Sequence, residues 1–140
     1  PNFTQGFYAH GWGDGMAGRG AEALQRLERA ISLPPLDPFL YAMQSACGLA
    51  YLQMEDYENA VFWAEKGARA PGPHFLIGAI ASMICEISGD EEKAVYWATK
   101  TKERRPDASV AMFFSAFPFE DTQLRSQISS ALVSVGFQAD

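Results

Sequence analysis

The sequence predicts an all-α fold, a right-handed α-α superhelix of three helix pairs followed by a short extra helix and a C-terminal capping helix. Three observations predict it. The first is an internal repeat. Residues 56–66 read Asp-Tyr-Glu-Asn-Ala-Val-Phe-Trp-Ala-Glu-Lys, and residues 90–100 read Asp-Glu-Glu-Lys-Ala-Val-Tyr-Trp-Ala-Thr-Lys. At a shift of 34 residues, 56 to 90, seven of these coincide and Phe62 meets Tyr96. A repeat of that length belongs to stacked helix pairs, because one pair cannot bury its apolar face alone. The second observation is apolar spacing with a helical period through most of the chain. The third is a Pro or Gly break after each periodic stretch.

The first pair occupies about 3–35. Phe7, Tyr8, Gly11 and Trp12 have helical spacing. Gly18 and Gly20 make the turn, and residues 21–32 carry an apolar stripe of Ala23, Leu24, Leu27, Ala30 and Ile31. Pro34 and Pro35 stop that helix. The second pair occupies about 39–72. Asp37 caps it, and Leu40, Met43, Cys47, Ala50 and Tyr51 follow on helical spacing. Gly48 in mid-helix costs roughly 1 kcal/mol against alanine, which calls for close approach of the partner helix. That partner, about 57–69, is capped by Asp56 and turns Ala60, Trp63, Ala64 and Gly67 inward.

The third pair occupies about 73–106. Residues 75–87 are apolar nearly all round, as an inner helix should be. Asp90 caps the outer helix, which Pro106 ends. Residues 107–137 complete the chain: a short helix capped by Asp107 and reaching Ala116, a break at Phe117-Pro118-Phe119, and an amphipathic helix over 120–135. Gly136 followed by Phe137 has the form of a glycine stop with a hydrophobic contact back to the helix.

A net charge of −6 argues against a nucleic-acid surface, which needs a concentrated basic stripe. The one basic cluster, Lys100, Lys102, Arg104 and Arg105, falls in a last helical turn, where cations complement the dipole. Cys47 and Cys85 lie inside apolar patterns and read as free buried thiols in a reducing, cytoplasmic compartment. The longest apolar run is too short to span a bilayer. The chain begins at Pro1, and we expect it to be a piece of a longer protein.

Reactive motifs are weak. Gly13-Asp14-Gly15-Met16-Ala17-Gly18 is a formal GxGxxG, but neither a strand before it nor a strand after it completes a dinucleotide unit. His10 and His74 have no nucleophile in a recognisable arrangement. The acidic groups at 55–58 and 90–92 lie at helix starts, where the dipole favours them. Trp63 and Trp97 recur at one structural point, which favours packing over a ligand box. No catalytic residue, cofactor site or metal site is expected.

These residues resemble the tetratricopeptide repeat. In the first unit Phe7, Gly11, Gly18, Ala23, Leu27, Ala30 and Pro35 fall at signature positions. In the second Gly48, Tyr51, Tyr57 and Ala60 do, with Gly67 where alanine is usual. In the third Ser82, Gly89, Ala94 and Pro106 do, with Thr101 replacing alanine. A narrower likeness joins residues 28–38, the Trp-Ala pairs and Pro118-Phe119-Glu120-Asp121 to repeat regions at the C-terminus of bacterial class III adenylate/guanylate cyclase-like proteins. The same kind of region follows winged-helix regulators. The resemblance implies a cyclase-like or DNA-binding domain upstream.

It also implies a groove lined by the first helix of each pair. Its lining would be Tyr8, Trp12 and Met16, then Ser45, Leu49 and Leu52, then Leu76, Met83 and Ile87. The groove lacks the Lys and Asn set that holds a C-terminal carboxylate. The expected function is a non-catalytic protein-interaction module of a bacterial signalling or regulatory protein, binding a protein or peptide partner or a second copy of itself. An alternative occupant of the groove is the chain's own tail helix. Another class is a small-molecule sensor with a pocket between Trp12, Met16 and Leu49.

Overall fold

A computed structural model of the chain describes residues 40–70 and 74–139, together with Ala21, Leu24 and Gln25. The predicted helix near the N-terminus, its turn and the cap at Asp37 lie outside these residues. The described residues form six helices: α1 (Leu40–Gln53), α2 (Tyr57–Ala68), α3 (Phe75–Ser88), α4 (Glu91–Arg104), α5 (Val110–Ala116) and α6 (Thr122–Ser134). The chain is all-α. None of these helices is long and apolar enough to cross a membrane.

The repeat seen in sequence is a repeat of crossings. At the α1/α2 crossing, a Cβ on Gly48 would sit 3.0 Å from the Ala64 nitrogen and 3.1 Å from the Ala60 oxygen. The bare glycine is what lets the two backbones approach this closely. Ser82 occupies the corresponding place on α3. Its hydroxyl donates to the Ala94 carbonyl of α4 at 2.7 Å. Ala60, Ala64, Ala94 and Ala98 are all buried, so both seams are built from small residues. α3 then packs on α1 and α2 as well as on α4, and its residues 76–85 are buried except Gly78. That accounts for a sequence apolar on every side. Leu24 packs against Ala46 and Cys47 together with Trp63.

The caps follow the sequence with one correction. Asp56 accepts from the Asn59 amide at 3.3 Å, and Asp90 from the Lys93 amide at 3.1 Å. Each occupies one of the four amide donors that a helix start leaves unpaired. Asp107, expected to cap α5, does not. Its carboxylate is gripped by both arms of Arg105, at 2.9 Å and 3.1 Å. That bond holds the Asp107 carboxyl below its ordinary range. Ser109 caps α5 instead, accepting from the Met112 amide at 3.2 Å.

Three helices stop in the same way, with crossed bonds from the two following amides to the last turn. In α3, Gly89 donates to Glu86 and Asp90 to Cys85; in α6, Gly136 donates to Val133 and Phe137 to Leu132. Gly89 and Gly136 have φ of 94° and 102°, the left-handed conformation that costs glycine nothing. In α1 the same pattern closes on Glu55, at φ 60°. Glu55 thus stands where the next unit has Gly89.

α5 and α6 close the stack. Phe113, Phe114, Phe117, Phe119 and Phe137 are buried in the same core as α3. Beyond α6 the chain returns to the start of α5, where the Val110 amide donates to Gln138 at 2.9 Å and the Gln138 amide to Ala108 at 3.2 Å.

Candidate functional site

Of the nine residues expected to line a groove, Tyr8, Trp12 and Met16 lie outside the described residues. Leu49, Leu52, Leu76 and Met83 belong to one continuous buried cluster, Ser45 is fully buried, and Ile87 is half-buried at its edge. They are core rather than an open lining. Two packings account for this: α6 lies along α3 and buries Ile128, Ala131 and Leu132, and Ser45 is turned into the α1/α2 crossing beside Gly67. Ser134 of α6 donates to Glu86 of α3 at 2.9 Å, and the Lys102 ammonium donates to the Val135 carbonyl at 3.4 Å. The tail helix covers the third pair.

A cleft of about 630 Å³ stays open between the α1–α2 turn and α6. Leu52, Tyr57 and Leu124 give it apolar wall, and Glu55, Asp121 and Gln127 give it polar rim. Neither Lys nor Arg is among its described lining residues. Among the described groove residues, Leu52 is the one that also faces this cleft. Glu55 brings strain to the rim, since a non-glycine residue in the left-handed region costs on the order of 1–3 kcal/mol.

The most organised polar cluster lies elsewhere. Glu65 of α2 is only 5% exposed. Its carboxylate accepts the indole N–H of Trp97 at 2.9 Å, and it pairs with Lys93 at 3.2 Å and Arg69 at 3.3 Å. A carboxylate this far from water requires such partners. Periodicity could not find it, because Glu65 falls on Thr99 at the repeat shift. The signal available was Trp97 itself, whose buried N–H must meet an acceptor. This cluster clamps α2 to α4, and its carboxylate is already taken up by the indole and two cations, so it does not read as a ligand site.

Cys47 and Cys85 are both buried, as expected from their apolar surroundings, and neither is in a disulfide. Burial first, and then the charges of Glu65 and Asp90, push the Cys85 thiol up from 9.0 to about 12. A thiol held neutral is a poor nucleophile and a poor metal ligand. Among the described residues there is no group of three or more His, Cys, Asp or Glu placed to hold a metal ion.

The chain was compared with protein-family models, with curated proteins and with solved structures, and none of the three gave a match. What the described residues define is an all-α fold of helix pairs packed on one another, with an open cleft beside α6.

Proposed function

We propose that the chain is a non-catalytic protein-interaction module, a tetratricopeptide-like stack in a bacterial signalling or regulatory protein, working beside a cyclase-like or DNA-binding domain. One observation carries the reading. The open cleft beside α6 has Glu55 on its rim, held in a backbone conformation for which the next unit uses glycine. Strain kept at the edge of a concave surface is a mark of binding sites. The cleft joins apolar wall to carboxylate rim, which fits a peptide with an apolar anchor and a basic flank.

The test is affinity capture from bacterial lysate with immobilised wild type and with a Tyr57→Ala, Gln127→Ala double variant. A partner held by the wild type and lost by the folded variant is the expected result. Equal capture by both removes the cleft from the account.

A further inference from the structure

α2 and α4 carry the same exposed stripe. Glu58, Phe62 and Lys66 follow one another at four-residue steps along α2, and Glu92, Tyr96 and Lys100 do so along α4. Residues four apart share a helix face, so each stripe runs acid, ring, ammonium from N to C. All six side chains are exposed. Phe62 is 55% exposed and Tyr96 53%, and Val95 beside it is 57% exposed.

The rings stand edge-on to the tryptophans beneath, Phe62 on Trp63 and Tyr96 on Trp97. Lys66 lies 5.6 Å from the Phe62 ring centroid, and Lys100 lies 5.2 Å from that of Tyr96. Among the described residues neither Glu58 nor Glu92 has an ion-pair partner. The two stripes lie side by side, since Glu65 of α2 reaches Trp97 and Lys93 of α4.

Turned end for end, this face is its own complement. A two-fold axis through the ring row sets the two acids of one copy against the two ammoniums of the other at both ends. The ring row then meets itself in the middle. We propose that the exposed face of α2 and α4 is a homodimer interface, closed by a second copy of this chain in antiparallel orientation. Such a contact is isologous, so one patch serves both subunits and the assembly stops at two. Parallel stacking would set acid on acid and is disfavoured by the same charges.

The face is small. Two helices about 20 Å long, each about 10 Å wide with its side chains, give a footprint on the order of 400 Å² per partner. That is about half of a standard interface, which points to a weak dimer.

Sedimentation equilibrium of the 140-residue chain, from about 10 µM to about 1 mM, tests this. The wild type should pass from monomer to dimer, more weakly as salt rises. Lys66→Glu with Lys100→Glu should stay monomeric, and so should Glu58→Lys with Glu92→Lys. An equimolar mixture of these two variants should regain a dimer, and so should the chain carrying all four changes. Phe62→Ala with Tyr96→Ala, which leaves every charge in place, should weaken association at least tenfold. Far-UV circular dichroism establishes that each variant is folded. A wild type that stays monomeric throughout overturns the proposal and leaves the face to a partner of different sequence. Charge-reversed variants that dimerise as the wild type does overturn it equally.

Discussion

Trp97 donates its indole N–H to the carboxylate of Glu65 across 2.9 Å, and this bond fastens α4 to α2. With the Lys93–Glu65 ion pair, it joins two outer helices that pack mainly on the inner ones. Replacing Trp97 by Phe keeps the ring and leaves the buried carboxylate one donor short. We expect a loss of about 1–3 kcal/mol in urea unfolding. Lys93→Ala should cost less, about 0–1 kcal/mol, because Lys93 is 48% exposed and its ion pair is screened by water. Equal losses for the two variants would contradict this ranking.

Glu55 and Gly89 close equivalent helices, yet only Gly89 adopts its left-handed φ without steric cost. Glu55→Gly should therefore stabilise the chain by about 1 kcal/mol, the relief of left-handed strain less the added freedom of the unfolded chain. The same change alters the rim of the cleft and should weaken partner capture. A variant that is less stable than the wild type would show that the Glu55 side chain is held by something other than the turn.

Cys85 gives a pH prediction with a definite sign. Its thiol is raised from 9.0 to about 12, so above pH 9 the unfolded chain releases a proton that the folded chain keeps. This contribution to stability is whole below pH 9 and is lost as pH rises toward 12. Between pH 8 and pH 10 the wild type should lose about 1 kcal/mol more than Cys85→Ala, measured by urea midpoints at both pH values. The difference between the two proteins removes the contribution of lysines and tyrosines. Parallel pH curves would place Cys85 in contact with water.

Much of this architecture could be read from the residues alone, for local reasons. Asp56 and Asp90 cap their helices because a short carboxylate three residues before an amide needs no tertiary context. Gly48 asked for a close neighbour and has one in Ala60 and Ala64. Gly136 and Phe137 end α6 as glycine followed by an apolar residue does. Three features needed the fold. Asp107 is claimed by Arg105, a competition between two partners that spacing cannot rank. Glu65 is paired across helices, 32 residues from Trp97. The expected groove counted Leu49, Leu76 and Met83 as surface, and all three are buried in one cluster where the helices pack on one another. Amphipathic spacing shows that a helix has an apolar face, not which of two apolar faces it will cover.

The central claim is that α1/α2 and α3/α4 are the same crossing made twice. Carbon-edited NOE spectroscopy on the labelled chain tests it directly. The account predicts cross-peaks between the Gly48 α protons and the Ala64 methyl, and between the Ser82 β protons and Ala94. A helical protein that shows the first set without the second, or neither, would contradict it.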